Sequence, residues 1–466
     1  MLPQRKACTG SRARIVLSSQ SFATWPLRQF SRAGRAVTPC SIGRSLVGHV
    51  FALVLGLLLG LPYHAHGSTT PLMGATAQRG GATNVVWTPS AQASVDITLT
   101  GSTLATGKFV ELWMYLPSRA PFTQTTPVEP PDAPSLKVEM LGRSANLSLQ
   151  WTGWRRLVIP VSVMKVTSGS YNVSNKLRLS RDGNFASDFI INYCGGSVAT
   201  QVTGIGLEDE DLLDHIDLSL PGMAAVNSAV QTALGSSGAA RATAVGQAKT
   251  ALAAYFRQNF TTRWPMGTGK TTEADVLVNG TFTYVGNTYT YPFINGEVGA
   301  IDWNFNPTLQ PEHTGADTYE WGYSMHRFGH WDTLTTAYNS NTPSKENYAA
   351  FWAGNLRSWI AQESVPAIND ESNTSGWRGL DTGLRLSKSW PASFFAFSQS
   401  TASVSDADII LFLKSIVEHG NYLSGHLYGP GNHFILAMCG LVTQGGVFPE
   451  LKDAWRAAKS SAMRAG

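Results

Sequence analysis

The sequence predicts a multidomain α+β chain: an amino-terminal β-sandwich, then a mostly α-helical part whose successive helices stack as a solenoid or toroid. Three observations predict it. From about Asp96 to Ser197, short runs alternate apolar and polar residues, and turn residues separate them at regular intervals. From Pro221 onward the apolar spacing changes to three and four, as in helices that bury one stripe. The links between helical runs are short, which favours antiparallel pairs; with no tight repeat, the toroid is inferred from the succession of helices.

The chain has 466 residues, 43% hydrophobic and 14% charged, enough for a large core and for two or three domains. Its 14 Trp suit aromatic-lined sugar grooves and a large core equally well. Residues 1–67 carry eight positive charges and no acid, and the whole chain is +4, so the remainder is −4. The basic character therefore belongs to the amino terminus. No nucleic-acid footprint is left, and an acidic ligand would have to be held by local cations. Leu46 to Leu61 is an apolar run broken only by Gly and His49, ended by Pro62 and followed by Ala65-His66-Gly67. It is short for a membrane span and suits a signal-peptide core. An uncleaved anchor and an organelle transit peptide are the alternatives; export, to periplasm or medium, is the preferred expectation. Of four Cys, Cys8 and Cys40 lie in this segment, and Cys194 and Cys439 lie far apart, with no metal spacing.

Residues 68–95, rich in Gly, Thr, Ala and Ser, read as a linker. Strands follow at Val95–Thr100, Phe109–Leu116, Ser135–Met140, Asn146–Trp151, Leu157–Val163, Lys176–Leu179 and Phe189–Tyr193, with a Pro-rich surface loop at Pro117–Pro134. Ala224–Phe260 is an Ala-rich helical stretch broken near Gly235, and Asn279–Pro292 a Thr- and Tyr-rich hairpin. Trp321, Met325, Phe328 and Leu334 form one helical stripe. Phe351, Trp352, Leu356, Trp359 and Ile360 form another, with Thr342 as cap and Pro343 at the first helical position. Leu380 and Leu384 lie in a helix that Pro391 should kink. Ser405 and Asp408 make a capping box before Ile409, Phe412 and Ile416. A last helix begins near Pro449 and carries Leu451 and Trp455.

Between these two helices Gly431-Asn432-His433 opens an apolar run of helical spacing, with Phe434, Met438 and Leu441 on one face. Pro430 and Gly431 place the pair at the mouth of the helix, where backbone N–H groups are unpaired and anions are favoured. Asn donates two hydrogen bonds to a carboxylate, and neutral His takes a proton near pH 7. Together they suit removal of a proton beside a carboxylate. An Asn that caps the helix and a His that packs beside it is the other reading of the same residues.

Several motifs occur in a recognisable order. They are Ile301-Asp-Trp303-Asn-Phe-Asn-Pro307, Tyr319-Glu-Trp321, His326-Arg327-Phe-Gly-His330-Trp331, Leu356-Arg-Ser-Trp-Ile360, Trp377-Arg378-Gly-Leu-Asp381-Thr-Gly-Leu-Arg385, Gly431-Asn432-His433 and Phe448-Pro449-Glu450. This series resembles the amino-terminal α/α-toroid domain of the heparinase II/III superfamily, nearest the heparan-sulfate lyases, with alginate lyases sharing the architecture. The resemblance covers about Ile301 to Trp455, and more loosely the helices from residue 222. It implies a polysaccharide lyase that performs β-elimination on a uronic-acid-containing, heparan sulfate-like or alginate-like polysaccharide, with no cofactor and no metal. By resemblance, Asn432 neutralises the uronate carboxylate and His433 assists or transfers the proton, while Arg378, Arg385, His326, Arg327, Trp377 and Trp303 line the groove. Pairing of Arg378 with Asp381, and a helix-tying role for His326 and Arg327, are the structural alternatives. The implied partner is the acidic polysaccharide, not nucleic acid.

The family's pattern adds a Tyr some tens of residues beyond the Asn-His helix and a His from a carboxy-terminal β-sandwich. Neither is found before Gly466, so the expectation is an incomplete toroid with half an active site: a truncated lyase or a binding protein, with apolar helix faces left exposed. The sandwich, at 96–200, precedes the toroid at 201–466. Its Trp151-Thr-Gly-Trp154-Arg-Arg-Leu157 stretch looks like a strand pair of jelly-roll carbohydrate-binding modules, with Trp154 a candidate to stack on a sugar and core packing the alternative. Other readings fail on the residues. Met266-Gly-Thr-Gly269-Lys270-Thr271 has Trp264 where a phosphate loop needs its first Gly. His326 and His330 share a helix face, but Arg327 between them is a poor neighbour for zinc. Gly322-Tyr-Ser324-Met-His326 lacks the last Gly of a nucleophile elbow. Among Asp302, Glu320, Asp332 and Asp381 no glycosidase-like carboxylate pair stands out.

Overall fold

A computed structural model describes residues 70–118, 135–167, 169, 171–181, 190–258, 263–264, 267–313, 318–372, 375–427 and 431–452. It shows the α+β succession expected. The sandwich has two five-stranded sheets among the described residues. One orders β1 (Asn84–Trp87), β10 (Ile191–Ala199), β4 (Phe109–Leu116) and β7 (Gly153–Pro160), with β3 (Thr100–Gly101) also on β10. The other orders β2 (Ser94–Thr98), β9 (Lys176–Arg181), β5 (Ser135–Met140), β6 (Arg143–Ser148) and β8 (Lys165–Val166). Along β4 every second side chain, Val110, Leu112, Met114 and Leu116, is buried, while Glu111, Trp113 and Tyr115 face outward. The expected linker is not one. It supplies β1, and Arg79 reaches from it to Glu208 and Asp211 while Leu72 joins the helical core. All but the first two residues of the Pro-rich loop lie outside the described residues, as does Trp455.

The helical part begins with α1 (Asp209–His215), α2 (Ala224–Leu234), α3 (Gly238–Gln258) and α4 (Thr271–Leu277). The α2–α3 break falls at Gly235, where the sequence placed it. The hairpin β11 (Thr281–Tyr284) and β12 (Asn287–Thr290) follows. Then come α5 (Glu320–His326), α6 (Gly329–Asn339), α7 (Lys345–Gln362), α8 (Gly379–Ser387), α9 (Ser389–Phe397), α10 (Asp406–Gly425) and α11 (Asn432–Val447). Ser344, not Thr342, precedes α7. The expected kink at Pro391 is a break at Lys388 (φ −147°, ψ −71°), because Pro favours the first turn of a new helix over the interior of an old one. The α10 capping box is present: Ser405 Oγ accepts from Asp408 N at 3.2 Å and Ser405 N donates to Asp408 Oδ2 at 2.8 Å. α10 packs against α3, α7, α8 and α11 and is buried along most of its length. The aromatic load fills this core: Trp331, Trp352, Trp359, Trp377 and Trp390 stack with Phe412 and His419.

Sandwich and helices share one contact zone. Ala367 and Ile368, after α7, enter the sandwich core, and Ala367 N donates to Val158 O at 2.7 Å. Arg155 of β7 donates to Glu418 of α10 at 2.9 Å, both buried. The exposed apolar helix faces expected of an incomplete toroid are not seen among the described residues: apart from the adjacent Val85 and Val86 of β1, the large exposed apolar side chains are separate in sequence and lie mostly on strands and turns. Cys194 and Cys439 are free thiols.

Candidate functional site

The site is built where α8 and α11 cross. Gly383 and Gly440 let the two backbones meet; a Cβ on Gly383 would lie 2.5 Å from Leu436 O, and one on Gly440 2.9 Å from Gly383 O. Their contact sets the first turn of α11 beside that of α8. Gly431, at φ 152° and ψ −176°, adopts a backbone conformation open almost only to glycine and turns the chain into α11. Asn432 and His433 follow, both exposed. Asn432 Oδ1 accepts from His433 N at 3.0 Å, which turns the amide nitrogen and its two hydrogens away from the backbone. Arg378 stands at the N-cap of α8, half-buried, its guanidinium 3.6 Å from the Tyr323 ring centroid and paired with Asp381 at 2.8 Å. Glu371 accepts from Gly379 N at 3.1 Å. Burial pushes its carboxyl up, while Arg378 and His433 nearby pull it down.

Beneath these groups lies an enclosed polar layer. Asp381, fully buried, also accepts from Arg327 Nε at 2.6 Å, and Arg327 pairs with Glu320. Arg385 is enclosed as well. It donates to His419 Nε2 at 2.8 Å, to Gly376 O at 2.6 Å and to His326 O at 3.2 Å, and lies 4.7 Å and 5.0 Å from the Trp359 and Trp377 ring centroids. Burial lowers its pKa to about 9, against the pull of Asp381 and Glu363. His326 Nδ1 accepts from Trp359 Nε1 at 3.1 Å; burial, then Arg385, lowers its pKa to about 3, so it is neutral. Burial raises Glu363 to about 7. Trp377 Nε1 donates to Glu363 O at 2.9 Å, and Trp303 Nε1 to Ser358 Oγ at 2.9 Å.

The model of the Heparinase II/III N-terminus family matches residues 212–465, more than half of the chain. The chain belongs to that family. The Heparin-sulfate lyase of Pedobacter heparinus is 26% identical over 273 residues, 57% of this chain and 38% of that protein. Among solved structures, a heparan sulfate lyase mutant from Pedobacter heparinus aligns at 23% identity and TM-score 0.43, covering 55% of this chain and 38% of that one. A heparinase III crystal structure aligns at 21% identity and TM-score 0.43, covering 55% and 37%. The chain thus spans about two fifths of the length of these relatives.

Within this heparinase II/III chain, the expected site residues fall into two groups. Asn432, His433 and, in part, Arg378 and Arg327 reach the surface. Arg385, His326, Trp377 and Trp303 are instead held inside, where Trp N–H groups and the guanidinium are hydrogen-bonded in place; burial puts them under the surface groups and not on a groove wall. Arg378 does make the Asp381 pair offered as its structural alternative. Trp154, offered as a sugar platform, is 1% exposed: its ring packs 5.6 Å from Tyr115, its Nε1 donates to Gly74 O at 3.0 Å, and neither face is open. His330 bonds Tyr284 and Asn355 instead of pairing with His326, and no metal-type cluster occurs among the described residues. Sequence reasoning missed Glu371, Tyr323, Glu363 and His419. Glu371 sits in a Ser/Asn-rich link that carries no periodic signal, and His419 reads as one more residue of a long apolar helix.

Proposed function

We propose that the helical part provides the carboxylate-binding side of a β-elimination site for a uronic-acid-containing polysaccharide, heparan sulfate-like before alginate-like. The observation that carries this reading is the exposed Asn432–His433 pair at the start of α11, with Arg378 and Glu371 beside it. The family points to the reaction class, and the Heparin-sulfate lyase of Pedobacter heparinus to the substrate. The Asn432 amide donates to the uronate carboxylate and draws charge from it, which acidifies the C5–H bond. His433, or a group it positions, takes that proton. The electron pair forms the C4–C5 double bond, the C4–O bond breaks, and the departing oxygen is protonated. Arg327 and Arg385 act from below: Arg327 holds Asp381, which holds Arg378, and Arg385 fixes the Trp377–His419 layer. The basic, apolar, small-residue pattern ending near Gly67 supports export to where such polymers are met.

The test is absorbance of the unsaturated uronate product on incubation with heparan sulfate, hyaluronan, alginate or chondroitin, with binding followed in parallel. A rise with one of them is expected, lowered about 10²- to 10³-fold in Asn432→Ala and by a similar factor in His433→Ala. Binding without any rise would replace this reading by that of a carbohydrate-binding protein that does not cleave. A rise unaffected by either substitution would remove the pair from the chemistry.

A further inference from the structure

A cavity of about 500 Å³ opens on the β-sandwich, far in sequence from α8 and α11 and within the size range of small-molecule sites, roughly 300–1,000 Å³. Its origin is a strand irregularity. The register of β10 against β4 shifts between Cys194 and Ser197, which leaves Gly195 and Gly196 outside the regular ladder. Gly195 has φ +68°, the left-handed region, and a Cβ on Gly196 would lie 2.8 Å from Ile97 Cγ2. Both glycines are required by close packing against Ala82, Ile97 and Leu99, and the irregularity they make leaves the cavity beside them. The wall is β4, whose outward positions here are Glu111 and Trp113; Thr98 and Thr100 stand at the crossing from β2 to β3.

The chemistry of the lining is specific. Trp113 is half-buried, unlike the enclosed Trp151 and Trp154, and Arg79 covers it from one side at 5.1 Å. Glu111 has an ion pair with Arg156 at 3.7 Å, too long for a hydrogen bond, so its oxygens can still accept. Among the described residues the one arginine lining the cavity, Arg79, is committed to Glu208 and Asp211. Asp96 is likewise held by Arg178 at 2.8 Å. A half-buried aromatic ring, a carboxylate acceptor and the exposed hydroxyls of Thr98 and Thr100, the latter also donating to Gly196 O at 3.2 Å, with no uncommitted cation among the described lining residues, suit a ring that is apolar on its face and hydroxylated at its rim. They do not suit a sulfated or uronate unit, whose negative charge would face the Glu111 carboxylate with no free cation to pair with. We propose that this cavity binds a neutral hexose unit of an uncharged glycan, with the sugar's C–H face against Trp113 and its hydroxyls on Glu111, Thr98 and Thr100. The proposal does not depend on the reading of the helical site.

The experiment is calorimetric titration of the full chain with neutral hexasaccharides (cello-, manno-, malto- and fully N-acetylated chito-series) and with a heparan sulfate hexasaccharide. At least one neutral series should bind, with affinity changing less than about twofold between roughly 0.05 and 0.3 M salt, because no charge is being screened. Trp113→Ala should weaken it by about tenfold or more, and Glu111→Gln by several-fold. Thr83→Trp places a large ring at the exposed rim of the cavity without touching the core and should abolish binding with the melting temperature unchanged, so a misfolded Trp113→Ala would not decide the matter alone. Asn432→Ala should bind as the native chain does. No binding by any neutral series, binding that survives both Trp113→Ala and Thr83→Trp, or binding of the sulfated hexasaccharide alone that fades with salt would each overturn the proposal.

Discussion

The glycine crossing of α8 and α11 makes a graded prediction. Ordinary contact for a Cβ begins near 3.4 Å, and one added at Gly383 would meet Leu436 O at 2.5 Å and Ala437 N at 2.6 Å, so about 0.9 Å of separation has to be found. The obstacles are backbone atoms, which cannot rotate away as a side chain would. At Gly440 the nearest atom, Gly383 O, is at 2.9 Å, and the shortfall is about 0.5 Å. At Gly446, on the same helix, nothing lies within 4 Å. Overpacking costs about 1–3 kcal/mol. We expect Gly383→Ala near the upper end and Gly440→Ala near the lower, measured as shifts of the urea unfolding midpoint at constant m. Gly446→Ala should be neutral or stabilising by roughly 0.5–1 kcal/mol, because Ala suits a helix interior better than Gly. Displacement by nearly 1 Å also parts Arg378 from Asn432 and His433, so substrate turnover or binding should fall by up to about 10²-fold in Gly383→Ala. Native stability in Gly383→Ala, or greater damage from Gly440→Ala, would refute the close crossing.

Gly431→Ala meets no atom within 4 Å, so its cost is backbone strain alone, about 1–3 kcal/mol concentrated at the start of α11; function at the Asn432–His433 pair should fall further than the small loss seen in urea unfolding. Arg155→Ala should cost about 3–5 kcal/mol, because it leaves Glu418 charged and buried, whereas Arg155→Met with Glu418→Leu should recover most of that loss in the same assay. The pH dependence of stability carries two opposed contributions. His326 and His330, lowered by burial from 6.5 to about 3, bind protons in the unfolded chain first, so their stability is complete above pH 6.5 and is lost toward pH 3, at up to about 1.4 kcal/mol per pH unit each. Glu363, raised by burial from 4.5 to about 7, holds its proton longer in the folded state, so its share is present below pH 4.5 and is lost as pH rises to about 7. Between pH 4.5 and 6.5, Glu363→Gln should therefore steepen the loss on acidification and His330→Asn should make it shallower; unfolding midpoints at several pH values check both.

How much was legible depended on what covered each element. β4 and β5 are found at their predicted limits because one face of each is open, and period-two alternation survives in the letters. β6 and β7 are found about three residues earlier than predicted. The outer face of β7 lies under the helical part through Arg155, Glu418 and Ala367, so buried residues occur on both faces and the alternation is lost. β1 was hidden by its short length and its Gly- and Thr-rich approach.

The site divides along the same physical line. Asn432 and His433 were legible because glycine, a helix start and the apolar spacing after it are local signals, and the pair is exposed. The depth of Arg385 was not, since Trp377-Arg378-Gly-Leu-Asp381-Thr-Gly-Leu-Arg385 puts Arg378 and Arg385 seven residues apart and hence on similar sides of α8. What separates them is the neighbour. Toward Arg378 the helix begins and faces Tyr323; toward Arg385 it runs under Trp359, Trp377 and His419. A buried guanidinium with its pKa drawn down to about 9 is costly to keep, and its placement is understandable if it holds Trp377, His419 and the carbonyl of His326 in one register beneath Arg378. Arg385→Met would then preserve much of the packing yet release those three partners. The expected result is a near-native fold by circular dichroism with weakened binding at Asn432 and His433; a native binding constant in Arg385→Met would leave Arg385 with a role in stability alone.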